Sequence, residues 1–259
     1  MIGRSETSAV HQLCGGFSAQ ATSEEVALDA ATLATNLIFG FGSVSESLYP
    51  FFMIRALLLK HMKACSQRVF AITSVEPGDG KTHVAVNLAA ALSRIHPTVL
   101  LELDLRKPSV EQRLGLGLGP AISGIDDYLD GATQWLDTSV KISGFHLTVH
   151  RVRQPRSNAE ALLGSSRLTD ALDLIRRADQ QPICIIDTPP ALLNDDLALI
   201  AQQVDGVVLV VQEGRTRKRG LLDVVKVLDS RPVIGSILNM SISQPPYSAG
   251  YGYGARGEN

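Results

Sequence analysis

The run Ala71-Ile-Thr-Ser-Val-Glu-Pro-Gly-Asp-Gly-Lys-Thr-His-Val-Ala-Val-Asn87 decides the fold. It opens in apolar strand, passes a glycine-containing turn and continues into a helix-forming stretch. Gly78 and Gly80 let the backbone curl and approach an anion closely, and N–H groups there and at the helix start point outward as phosphate donors. Lys81 adds a full charge, worth about 4 kcal/mol per contact at an effective dielectric of 20 and a separation of about 4 Å. The helix terminus alone contributes roughly 0.3–2 kcal/mol, so the lysine and a metal dominate. Thr82 supplies the hydroxyl expected on Mg²⁺. The strict phosphate-loop pattern asks for glycine at position 75, where this chain has Val75.

Two further strand ends support this reading. Leu100-Leu-Glu-Leu-Asp-Leu-Arg-Lys-Pro108 carries Glu102 at the end of an apolar run, with Asp104 and Arg106 at the exit, where open α/β sheets bind ligands. Ile185-Ile-Asp-Thr-Pro-Pro190 again ends an apolar strand in a carboxylate. Asp187 is the natural water-bridged partner of magnesium. Three such ends converging on one phosphate site predict a site for a nucleoside triphosphate, read as ATP, with Mg²⁺.

Around this site, short non-alternating apolar runs predict strands at Val69–Thr73, Val99–Leu103, Ile183–Asp187, Val207–Val211 and Val233–Leu238, with a weaker edge strand at Phe145–His150. Helical stretches are expected at Thr82–Arg94, Ser166–Ala178, Asp195–Gln202 and Lys218–Leu228, and another over residues 51–64. Strand and helix in alternation predict an α/β fold of the P-loop NTPase type, a mostly parallel sheet with helices on both faces. Residues 46–240 form the nucleotide-binding domain. Residues 1–45, rich in Ser, Thr, Ala and Gly, read as a poorly ordered extension with one helix near Glu24 to Leu37. Residues 241–259 read as a flexible Pro-, Gly- and Tyr-rich tail.

The 259 residues are 45% hydrophobic and 19% charged, ample for a core, and the formal net charge of −2 argues against generic nucleic-acid binding. An anion must then be held by local groups. Cys14, Cys65 and Cys184 fit neither a disulfide framework nor a zinc site. The stretch from Tyr49 to Leu59 is broken by Pro50 and Arg55 and is too short to span a bilayer. A cytoplasmic protein without a transmembrane segment of its own is expected.

Pro77-Gly-Asp-Gly-Lys-Thr82, Leu101-Glu-Leu-Asp-Leu-Arg-Lys-Pro108 and Ile186-Asp-Thr-Pro-Pro190 resemble the Walker A, A′ and B motifs of bacterial tyrosine kinases of capsule and exopolysaccharide synthesis, in their soluble form. Asn158-Ala-Glu-Ala-Leu-Leu-Gly-Ser165 is similar to the segment that precedes Walker B in that family. The resemblance covers about residues 51–240. It implies an ATP-dependent autokinase in which Pro77, Gly78, Asp79, Gly80, Lys81, Thr82 and His83 hold the phosphates and Asn239 contacts the adenine. Thr82, Asp104 and Asp187 would hold the metal, Lys81 would stabilise the transferred phosphoryl group, and Glu102 would polarise the attacking hydroxyl. Arg106 would act on phosphates or at a subunit contact. The implied acceptors are Tyr247, Tyr251 and Tyr253, three of only five tyrosines, in the last 13 residues. Either this chain's own site or a neighbour's is within reach: the 12 residues from Asn239 to Tyr251 span on the order of 20 Å as coil and 40 Å extended.

The implied partner is a membrane-anchored polysaccharide co-polymerase that brings the chain to the inner face of the membrane, with a homo-oligomer of the chain itself. Glu102 stands where the family usually has aspartate, and Arg55 is what remains of the family's arginine-containing assembly motif. Two other readings compete: an ATP-binding regulator without phosphoryl transfer, and a partition or division-site ATPase. The latter uses a lysine where this chain has Glu76. The run Arg215-Thr-Arg-Lys-Arg219 reads as a solvated face, or else as a contact to a subunit, a membrane or the nucleotide.

Overall fold

The computed structural model describes residues 24–119, 121–229 and 231–241. Its strands are β1 (Glu24–Val26), β2 (Val69–Ser74), β3 (Thr98–Glu102), β4 (Ser139–Ile142), β5 (Leu147–His150), β6 (Ile183–Asp187), β7 (Gly206–Gln212) and β8 (Val233–Asn239). The helices are α1 (Ala30–Thr35), α2 (Tyr49–Cys65), α3 (Lys81–Ser93), α4 (Val110–Leu114), α5 (Ile125–Leu129), α6 (Ala159–Leu163), α7 (Ser166–Arg177), α8 (Asp196–Ala201) and α9 (Lys218–Leu228). They surround one sheet in the order β1-β4-β5-β3-β6-β2-β7-β8. From β5 to β8 every neighbouring pair is parallel; β4 runs antiparallel to β5, and β1 is parallel to β4.

Every residue of β2, β3 and β6 is buried. Their two-residue period divides the apolar side chains between two cores. Val69, Ala71, Val99, Leu101, Cys184 and Ile186 face Leu163, Leu172, Leu197 and Val224 of α6 to α9. Phe70, Ile72, Leu100 and Ile185 face Leu58 of α2, Leu88 of α3 and Leu114 of α4. Continuous apolar runs are therefore what a sheet covered on both faces requires.

Two expectations are corrected. Residues 24–45 are built into the domain rather than forming a poorly ordered extension, and the helix expected from Glu24 to Leu37 is a strand followed by the short α1. Asn87 of α3 accepts from Phe39 N–H at 2.7 Å and Gly40 N–H at 3.1 Å, and Leu33 and Ile38 are buried. A Cβ at Gly40 would collide with Ala90, so only glycine lets this segment lie so close to α3. The second correction concerns β5, which is interior to the sheet, because β4 and β1 extend it further.

Val75 also finds its reason. It is buried in the core, where its side chain fills the space left by Gly220 on α9; a Cβ there would lie 2.7 Å from Val75 Cγ1. The missing loop glycine is thus a core residue.

Strand order positions the site. β6 lies between β3 and β2, so the chain crosses over β6 in passing from β2 through α3 to β3. The C-terminal ends of these adjacent parallel strands deliver the loop before Lys81, the segment carrying Asp104, and Asp187 to one crevice.

Candidate functional site

The loop after β2 turns on Gly78 and Gly80, whose φ values of 91° and 94° belong to the left-handed region. Gly80 precedes the first residue of α3, so the amides of the first helical turn have no partner within the helix and open on the crevice. A cavity of about 450 Å³ lies there, lined by Gly78, Gly80, Lys81, Thr82, His83, Asn36, Leu37, Arg113, Asn239 and Met240.

Charge is concentrated at its floor. Lys81 Nζ donates to Asp104 Oδ2 at 2.9 Å and lies 3.7 Å from Asp187 Oδ1. Burial works against the ammonium, but the Asp187 and Asp104 carboxylates outweigh it and hold its pKa above the ordinary lysine value. Burial raises Asp187 above the usual carboxylate range, against the pull of Lys81 and Thr82.

Thr82 Oγ1 donates to Asp187 Oδ2 at 2.8 Å, while Asp187 Oδ1 is buried without a hydrogen-bond partner. A hydroxyl next to a carboxylate with a vacant acceptor suits magnesium, which binds through few protein oxygens and keeps its waters. Asp104 is differently placed: Oδ2 is held by Lys81 and Oδ1 accepts from Lys107 N–H at 3.1 Å. Among the described residues no group of three His, Cys, Asp or Glu is arranged to hold a metal, so the remaining ligands would come from phosphate and water.

Not every expected residue faces the cavity. Glu102 is fully buried, and both its oxygens are held by backbone: Oε1 takes Ser109 N–H at 2.6 Å and Val110 N–H at 2.8 Å, and Oε2 takes Val152 N–H at 2.9 Å. Burial, partly offset by these bonds, pushes its pKa up to about 7. The expected polariser of a tyrosine hydroxyl is instead a clamp between α4 and the segment after β5. The longer glutamate side chain reaches both.

Arg106 is not among the residues that line the cavity: its guanidinium grips the buried Asp196 of α8 in a fork, at 2.7 and 3.1 Å. Asp79 turns inward, where Oδ2 accepts from Glu76 N–H at 3.1 Å; it shapes the loop. Pro77 contributes its carbonyl to Arg215 rather than a surface to the cavity. His83 and Asn239 do line the cavity, but Asn239 Nδ2 donates to Asp79 O at 2.9 Å, which uses its amide on the loop. Tyr247, Tyr251 and Tyr253 lie outside the described residues.

One residue near the site was expected there only as an alternative, and another not at all. Arg215 lies across the loop, donating to Pro77 O at 3.0 Å, so the basic run splits into a loop contact and a solvated remainder such as Arg219. A basic residue just after a strand end was the available signal. Arg113 enters from α4, and no motif pointed to it. Arg55, the remnant of the assembly motif, donates to Ala91 O at 2.8 Å and stacks on Phe52 within its own chain.

Fold and site together define a P-loop protein whose crevice has the chemistry to suit phosphate. No family model matches the chain. It is 30% identical over 162 residues to tyrosine-protein kinase CpsD of Streptococcus pneumoniae serotype 4, covering 60% of this chain and 66% of that one. To the putative tyrosine-protein kinase EpsB of Ralstonia nicotianae it is 29% identical over 216 residues, 78% of this chain and 26% of the relative. The crystal structure of the VpsO kinase domain superposes with a TM-score of 0.64 at 31% identity, covering 72% of this chain and 92% of that domain. The chain belongs to the bacterial tyrosine kinases of capsule and exopolysaccharide synthesis. It spans just under two thirds of CpsD and about a quarter of EpsB.

Proposed function

We propose that the chain is an ATP-dependent protein-tyrosine autokinase that phosphorylates Tyr247, Tyr251 and Tyr253 of its C-terminal segment and thereby regulates polysaccharide synthesis and export. The observation that carries the reading is that Lys81 and Thr82, which line the cavity, are bound to Asp104 and Asp187 from the two neighbouring strand ends. Lys81 leaves Asp104 for the β- and γ-phosphates, and Thr82 and Asp187 are the residues that would hold a magnesium ion, which would neutralise charge on the phosphates. The tyrosine oxygen attacks the γ-phosphorus in line and the bond to ADP breaks. Asp104, released by Lys81, is the carboxylate placed to take the phenolic proton. Positioning and charge stabilisation supply most of the acceleration, and the base adds about a hundredfold.

Among the described residues no helix is long and apolar enough to cross a membrane. A cytoplasmic chain held at the membrane by a co-polymerase, and associating with its own copies, accords with that. A second reading, an ATP-binding regulator without transfer, has its own support in the burial of Glu102 and the internal use of Arg55. Mass spectrometry of the C-terminal segment after incubation with Mg-ATP and the partner's cytoplasmic segment separates the two. Phosphotyrosine that disappears in a Tyr247/Tyr251/Tyr253→Phe variant supports the autokinase; unmodified tyrosines in a chain that binds ATP support the regulator.

A further inference from the structure

The kinase reading leaves Arg113 without a task, although the structure holds it carefully. It sits on α4, a single short turn fixed at both ends. Glu102 accepts the N–H groups of Ser109 and Val110 at the start. At the finish, Asn36 Nδ2 donates to Gln112 O at 3.1 Å and Arg113 O at 3.0 Å. Val110 and Leu114 are buried beneath, so the helix has little freedom to turn. This mounting directs Arg113 into the cavity beside Lys81, Thr82 and His83.

Other arginines around the sheet end are committed. Arg106 grips Asp196, Arg153 and Arg156 grip Asp127, and Arg151 lies 3.1 Å from Glu111. Arg113 differs: among the described residues no carboxylate forms an ion pair with it, and its Nε, like that of Arg151, has no hydrogen-bond partner. Its charge is felt by both His83 and Asp187. At the cavity floor Lys81 alone is outnumbered by Asp104 and Asp187, and Arg113 restores neutrality. Mg-ATP brings a further net negative charge, which a floor lacking Arg113 would oppose.

We propose that Arg113 is a second phosphate-binding cation of the nucleotide site, aimed by Glu102 through α4. The inference rests on the nucleotide reading. A planar guanidinium that lines a phosphate crevice and has no carboxylate partner is suited to phosphoryl oxygens.

The test is competition binding of ATP, ADP and AMP, with magnesium, to wild type, Arg113→Gln, Arg113→Lys and Lys81→Met, beside thermal unfolding without nucleotide. Arg113→Gln should weaken ATP about ten- to hundredfold, with a smaller loss for ADP and the least for AMP. Arg113→Lys should recover most of the ATP affinity, and the salt dependence of ATP binding should be shallower in Arg113→Gln than in wild type. ATP affinity within twofold of wild type in Arg113→Gln, beside a clear loss in Lys81→Met, would overturn the role of Arg113 alone. So would an equal loss for all three nucleotides in both Arg113 variants with lowered melting temperatures, which marks a structural residue. Wild type that binds no ATP would remove the nucleotide reading and this inference with it.

Discussion

Asp104 and Glu102 leave the same strand end two residues apart, and their surroundings divide their work. Asp104 faces the crevice and holds Lys81, a mobile partner that a phosphate can take away. Glu102 turns toward α4 and the segment after β5, where three fixed backbone N–H groups hold it. One carboxylate is poised for exchange; the other is spent on architecture. A motif records both as acidic positions, but only the partner shows which can respond to a ligand.

The largest effect should come from removing the exchangeable partner. Lys81→Met is expected to lower ATP affinity by at least about a hundredfold and to abolish phosphotyrosine, measured by nucleotide competition and immunoblot. Binding unchanged in that variant would break the comparison at its crevice end.

Stability should separate the two carboxylates next. Glu102→Ala strands three backbone N–H groups in the interior and should cost at least about 3 kcal/mol, a melting temperature lower by roughly 6–12 °C. Asp104→Asn keeps one acceptor oxygen, enough for either Lys81 or the Lys107 N–H, and its melting temperature should fall less than that of Glu102→Ala. Calorimetry of the two variants reads the difference, and a larger drop for Asp104→Asn would invert the assignment.

A smaller effect concerns pH. The pKa of Glu102 is raised in the folded state from 4.5 to about 7, so between those values the folded chain holds a proton that the unfolded chain releases. The stability this contributes is full below about pH 4.5 and is lost as pH rises through about 7, a change on the order of 3 kcal/mol. Denaturant unfolding across that range should show wild type losing stability relative to Glu102→Gln as pH rises. Parallel curves would mean that Glu102 is already ionised throughout.

The parts of the fold that the sequence made legible are those where burial on both faces leaves a continuous apolar run. Ile183–Asp187 and Lys218–Leu228 match their expected bounds, and β2, β3, β7 and β8 differ from theirs by a residue or so at the ends. β4 and β1 were illegible because Ser139–Ile142 is short and polar at alternate positions and Glu24–Val26 has no apolar pattern; pairing alone makes them strands. In the site, Lys81, Thr82 and Asp187 followed from local chemistry, since strand, loop and helix are contiguous. The contacts of Glu102 and Arg106 were harder to read because Val152 and Asp196, which help hold them, are distant in sequence. Arg113 was invisible for the same reason: its direction depends on how both ends of α4 are held.

The most direct test of this division is the single-turnover rate of tail phosphorylation at saturating Mg-ATP in wild type, Glu102→Gln and Asp104→Asn. The account predicts that Glu102→Gln transfers phosphate within about tenfold of wild type, whereas Asp104→Asn slows by about a hundredfold or more. An Asp104→Asn variant that transfers normally while a folded, ATP-saturated Glu102→Gln variant does not would contradict it, and would return Glu102 to the role of base.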